Sequence, residues 1–257
     1  MKIYSVYNIK GGVGKTTTAV NLAYISASTG ARSMIWDLDP QGGTSYYLCV
    51  KPKVKGGVKG LIRQKPKFDS LLKMTGYPNL DLLPADISYR NMDHYLHQEV
   101  KPNRGLHRIL HPLRNRYDNI FLDCPPGLTT LTENVFRISD VLLVPLIPTP
   151  LSLRAYNRLV QFLVKRRTKK LQVIPFFNMV NSNKPIHRIV TKNVHEKHPI
   201  FLRNTIPEST VIEAMGIKRS PIFTYAREST EAENFQDLWK EINQREKNTK
   251  NKKKKKA

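Results

Sequence analysis

Short apolar runs alternate along this chain with longer stretches in which apolar side chains return every three or four positions. The first run, residues 3–7 within 2–8, reads as a buried strand. Residues 15–29 then place Ala19, Leu22, Ala23 and Ile25/Ser26 on one helical face, and Gly30 ends that helix. Further runs at 31–36, 80–84, 119–123, 141–147 and 172–177 predict more strands. Helical spacing recurs at 88–97, at 104–116 through Leu106, Ile109, Leu110 and Leu113, and after residue 150 through Leu153, Tyr156, Leu159/Val160 and Leu163. A closing amphipathic helix follows from Ala232, Phe235, Leu238/Trp239 and Ile242, with Trp239 in the core. Strand, helix and strand without hairpin signals imply parallel βαβ units. The predicted fold is therefore α/β, a mostly parallel twisted sheet with helices on both faces and ligands at the C-terminal strand ends.

Two stretches fall outside this pattern. Residues 51–67 are rich in Gly and Lys, lack sustained periodicity and are expected to be a mobile surface loop inserted in a single domain spanning 1–246. Residues 247–257 are a lysine run expected to be a disordered tail. Both carry much of the charge. The 257 residues hold 43 Lys and Arg against 20 Asp and Glu, a formal net charge of +23. Residues 51–74 have eight cations against Asp69, and 240–257 have nine against Glu241 and Glu246. Such an excess implies a polyanionic partner, nucleic acid or an anionic membrane surface.

Composition excludes several classes. Two cysteines, Cys49 and Cys124, make no disulfide framework and fit a reducing compartment. The chain enters a strand at once, leaving no room for a signal peptide, and no apolar run approaches the ~20 residues of a membrane span. The seven histidines show no His-Glu-x-x-His spacing.

The candidate chemistry lies at three predicted strand ends. Lys10-Gly11-Gly12-Val13-Gly14-Lys15-Thr16-Thr17 sits between strand and helix, where glycines and a helix N-terminus form a phosphate cradle. Lys15 is placed to reach β/γ-phosphates and Thr16 to put its hydroxyl on Mg²⁺. Ile9 stands where an ordinary P-loop has Gly, and a second lysine, Lys10, follows it. Asp37-Leu38-Asp39-Pro40-Gln41-Gly42 brings two carboxylates to the same sheet edge, although Asp, Pro and Gly also suit a plain turn. The apolar strand 119–123 closes on Asp123, a Walker B arrangement that places this acid near Mg²⁺, and Cys124 beside it is expected to be a packing residue.

The doubled lysine resembles the deviant Walker A box of the ParA/MinD family of P-loop ATPases, and 37–42 and 123–126 resemble that family's two switch segments. The resemblance implies ATP and Mg²⁺ as cofactors, held by Gly11, Gly12, Val13, Gly14, Lys15, Thr16 and Thr17. It implies that Lys10 reaches across a homodimer to the partner's nucleotide, that Asp39 orients the attacking water, and that Asn178 and the Pro207 loop hold adenine. It also implies a patch for non-specific DNA in the C-terminal region, here assigned to Arg203, Lys218, Arg219 and Arg227. The expected function is a slow ATPase, cytoplasmic and nucleoid-associated. A ParB-like or other small activator would stimulate it, and it would partition or position a plasmid, chromosome region or large protein assembly. Alternatives of the same fold are a MinD-like ATPase working on a membrane and a metabolic ATP-dependent enzyme. A passive basic DNA-binding module is a third, and would bind equally with and without ATP.

Overall fold

In the computed structural model the described residues are 1–65, 67–99, 101, 104–166 and 171–254, with side chains described as far as Asn248. Strands β1 (Lys2–Val6), β2 (Ser33–Asp37), β3 (Lys73–Met74), β4 (Leu80–Leu83), β5 (Asn119–Asp123), β6 (Val141–Leu146) and β7 (Gln172–Phe177) form one sheet. Their order is β3-β4-β2-β5-β1-β6-β7, parallel throughout except for β3, a short antiparallel edge on β4. The helices are α1 (Lys15–Ser28), α2 (Gly43–Tyr47), α3 (Gly57–Ile62), α4 (Met92–His97), α5 (Gly105–Leu110), α6 (Thr130–Ile138), α7 (Pro150–Lys165), α8 (Pro185–Lys197), α9 (Thr210–Glu213), α10 (Met215–Lys218) and α11 (Thr230–Lys254).

Successive strand side chains point to opposite faces, so a sheet covered on both sides needs apolar residues at both parities. On one face Tyr4, Val6, Ile35, Phe121, Leu143 and Phe176 pack with α1 and α11. Trp239 stands 5.2 Å from the Tyr4 ring and 5.7 Å from Phe121, in the core as expected. On the other face Ile3, Met34, Trp36 and Leu122 pack with residues of α3 to α8. The predicted strands and the helices at 15–29, 104–116 and after residue 150 all appear. Helices α2, α6 and α8 do not follow from the apolar spacing read above. α6 is marked by a capping box between Thr129 and Thr132.

Two expectations are corrected. Residues 51–67 are not a mobile loop: Val54, Val58, Leu61 and Ile62 are at most 3% exposed and form the inward face of α3 and its approach. Their spacing is helical, but Gly56, Gly57 and Gly60 and the intervening lysines obscured it. The Val54 N–H donates to Asp86 Oδ2 and the Val58 N–H to Ser88 Oγ, each at 2.8 Å. Each buried aliphatic side chain contributes about 1.5–3 kcal/mol toward holding the segment against the core. Nor does order end at 246, because α11 continues to Lys254. Its packed first turns nucleate the helix, and lysine, a good helix former, extends it at one hydrogen bond per residue. Residues 255–257 of the expected tail, and 167–170, lie outside the described residues.

Candidate nucleotide-binding site

The loop between β1 and α1 is held at both ends. Asn8 Nδ2 donates to the Pro145 carbonyl at 2.7 Å, and Asn8 Oδ1 accepts the Lys10 N–H at 3.0 Å. Gly12 and Gly14 take φ of 67° and 79°, the left-handed region that glycine enters without strain, and Gly14 caps α1. Gly11 and Gly12 face open space. Lys15 folds inward, 7% exposed, with Nζ donating to the Lys10 carbonyl at 3.3 Å. Asn178, at the end of β7, donates from Nδ2 to the Val13 carbonyl at 2.7 Å. A Cβ on Gly14 would collide with that same Nδ2. Gly14→Ala is expected to cost about 1–2 kcal/mol through the left-handed backbone alone. It should also abolish the rise in melting temperature that nucleotide produces, as read by thermal denaturation with and without ATP.

The adjacent strands β2 and β5 run in register with Asp37 opposite Asp123, both fully buried. Asp37 Oδ2 accepts from the Ser45 N–H and Ser45 Oγ, and Asp123 Oδ2 from Thr44 Oγ1, all at 2.8 Å. Among the described residues, the Oδ1 atom of each acid has no hydrogen-bond partner. Burial, and then the charge of Asp123, push the Asp37 carboxyl well above its ordinary range. Burial raises Asp123 as well, while the Thr44 and Thr16 hydroxyls and the Lys15 ammonium act against it. Gly43 backs onto Thr16, with its Cβ position 3.1 Å from Thr16 Cγ2. Two orphaned carboxylate oxygens beside two hydroxyls are a hard-oxygen set that fits Mg²⁺, which binds few protein oxygens and completes its shell with phosphate and water. The sequence assigns Thr16 and Asp123 to the metal and brings Asp37 to this sheet edge without a metal role; Thr44 it does not single out. The signal it lacked was the pairing of β2 with β5. Asp39, half-exposed just past β2, accepts the Gln41 N–H on Oδ1 at 3.0 Å. Cys124 is fully buried in the core, and that burial pushes its thiol up, as suits a packing residue.

A family model described as an AAA domain matches residues 1–174. The sporulation initiation inhibitor protein Soj of Bacillus subtilis is 30% identical, over 94% of this chain and 98% of that protein. The chromosome-partitioning ATPase Soj of Treponema pallidum is 31% identical, over 91% and 94% respectively. The chain belongs to the ParA-type partitioning ATPases. Among solved structures, a cobyrinic acid a,c-diamide synthase from Mycobacterium smegmatis with bound ATP analogue and magnesium matches with TM-score 0.74 and 26% identity. That match covers 85% of this chain and 91% of that one.

In this ParA-type chain Asn178 and Pro207 do come together, with Gly14, Thr17 and Ser209, around a narrow pocket beside the loop. The pocket is narrow, about 30 Å³, and one N–H of the Asn178 amide is already bonded to the Val13 carbonyl. Lys10 lines a different cleft, of about 290 Å³, with Leu151, Arg154 and Arg158 of α7. The four basic residues are not gathered in one cluster. Lys218 ends α10, Arg219 and Arg227 lie on the connection into α11, and all three are exposed. Arg203 lies apart, its N–H on Glu241, about 16 Å along α11 from Thr230 at 1.5 Å per residue. Arg219 is also engaged with α2: its guanidinium lies 4.6 Å from the Tyr46 ring centroid and Nε donates to the Tyr46 carbonyl at 3.2 Å.

Proposed function

We propose that this ParA-type ATPase binds ATP with Mg²⁺, closes into a homodimer over two nucleotides, and in that form grips non-specific DNA to partition or position a cargo. A small ParB-like activator would stimulate its slow hydrolysis, and the protein would work in the cytoplasm on the nucleoid. The observation that carries this reading is the division of labour between the two lysines. Lys15 already occupies the inside of the loop on the Lys10 carbonyl, whereas the Lys10 side chain lines an outer cleft with Arg154 and Arg158. A cation on that outer cleft, with the inner position already filled by Lys15, supports a reach to a second copy's phosphates.

Within each subunit the loop N–H groups and Lys15 hold the β/γ-phosphates. Thr16, Asp37 and Asp123 would hold the metal, with Thr44 beside them. Mg²⁺, when bound, spreads the charge that develops on the phosphate oxygens. Asp39 orients water for in-line attack. Lys218, Arg219, Arg227 and Arg203 supply phosphate contacts. The bonds of Arg219 to Tyr46 tie them to α2, whose Thr44 and Ser45 sit on the two buried acids.

Light scattering with Mg²⁺ and a non-hydrolysable ATP analogue should show the mass of two chains, with duplex DNA bound at least about tenfold tighter than without nucleotide. Asp39→Ala should keep that dimer and slow turnover. A mass that stays at one chain sinks the proposal. The Mycobacterium neighbour keeps one other reading alive, a ligase-type enzyme. That reading requires ATP turnover that depends on a small acid substrate and ignores DNA. Among the described residues no helix is long and apolar enough to cross a membrane.

A further inference from the structure

A concentration of uncompensated charge lies on the face of the sheet away from α11. Lys55, Lys59, Arg63, Lys65 and Lys67, with Ser70, line a cleft of about 700 Å³ against α3. All five cations are exposed, and among the described residues no carboxylate pairs with any of them. Nearby acids are already used: Asp69 pairs with Arg116, Glu99 with Arg108, and Asp86 accepts from Val54 and Ser88. The cleft is also firmly built. Val54, Val58, Leu61 and Ile62 anchor it in the core beneath, and Gln64 Nε2 donates to the Arg108 carbonyl at 2.8 Å. Gly56 and Gly60 in its lining carry no side chains that would hold a ligand off the backbone.

Five like charges held together in a cleft repel one another, so the arrangement is relieved by an anion that brings several charges at close spacing. Lys59 and Arg63 stand one helical turn apart, about 6 Å along the axis, and so face consecutive anionic groups. The apolar residues of the segment point inward, and a concave basic surface without exposed apolar side chains suits a ridge of phosphates better than a flat bilayer, which apolar insertion would favour. We propose that this cleft binds the sugar-phosphate backbone of duplex DNA, independently of nucleotide and on the opposite side of the sheet from Lys218, Arg219 and Arg227. A subunit then carries two DNA-facing surfaces. One is set by the nucleotide state, and the other, the α3 cleft, is permanently open and keeps the protein near DNA between ATP cycles.

The test uses the full chain without nucleotide and a short mixed-sequence duplex, titrated by fluorescence anisotropy across about 50 to 200 mM salt. Lys59→Gln/Arg63→Gln should weaken nucleotide-free binding about tenfold and flatten the salt slope by about two, the loss of two phosphate contacts. Lys59→Arg/Arg63→Lys, which keeps both charges, should restore it. The melting temperature and the basal ATPase rate should stay unchanged, and so should the gain in DNA affinity on adding the ATP analogue. Equal affinity and slope for wild type and Lys59→Gln/Arg63→Gln overturns the proposal. So does a difference seen only on phosphatidylglycerol vesicles and not on the duplex. Because the readout is nucleotide-free, failure here leaves the ATP-dependent dimer untouched, and failure of the dimer leaves this measurement valid.

Discussion

Asp37→Asn is expected to raise the melting temperature of the nucleotide-free protein while lowering Mg²⁺-dependent ATP turnover by about a hundredfold or more. Asp37 and Asp123 face each other across β2 and β5, each with an oxygen that finds no partner among the described residues. Without a cation this is two carboxyls competing for one buried space. Burial, followed by the neighbouring charge, raises the folded-state value of Asp37 above that of the unfolded chain. Ionisation therefore opposes folding. The penalty is absent below the ordinary carboxylate range and grows as the pH rises toward the folded value. Asparagine keeps an oxygen to accept from Ser45 and removes one charge, which should stabilise the apo form by about 1 kcal/mol or more, roughly 3 °C. Differential scanning fluorimetry at pH 5 and pH 8 should show the gap between variant and wild type widening with pH, and closing when Mg²⁺ and ATP are added. A variant less stable than wild type at pH 8 would mean that the acids are held by something other than mutual strain awaiting a metal.

Lys10→Ala is expected to leave each subunit able to bind ATP and to remove the dimer. Lys15 and the loop N–H groups, which hold the nucleotide within a subunit, do not depend on the Lys10 side chain. Only the Lys10 carbonyl and N–H take part in the loop's own bonds, and alanine retains both. Groups supplied in trans to a transferring phosphate are worth about 10³ to 10⁵ in rate, so turnover should fall about a thousandfold. Calorimetry with ATP should show a near-normal dissociation constant, and light scattering a single chain. Dimers that persist in this variant would remove Lys10 from the interface and return it to a solvated surface role.

The parts of this protein that are legible without coordinates are those whose information is local. Glycines at 12 and 14 between a strand and a helix specify the phosphate loop, because glycine enters the left-handed backbone without strain. The strands other than β3 and the helices α1, α5 and α7 follow from apolar runs and periodicity over a dozen residues or fewer. Where glycine and lysine diluted that period, as in α3, the pattern was hidden even though four apolar side chains kept it. The end of α11 was misplaced because disorder was inferred from composition, while helix extension depends on what is packed upstream.

Tertiary structure alone decided whatever rests on contacts between distant segments. Asp37 was brought to the phosphate edge by sequence, but only the pairing of β2 with β5 set it against Asp123. Asn178, 165 residues from Val13, became a prop for the phosphate loop only through the closeness of β7 to the loop after β1. The basic residues, one surplus in composition, were divided between two faces of the sheet by the inward pull of Val54, Val58, Leu61 and Ile62 on one side and of α11 on the other. Sequence determined which chemistry this chain carries, since dihedral preference and side-chain periodicity act within a few residues. Strand order and burial decided which of those groups meet, because they sum small interactions over the whole chain.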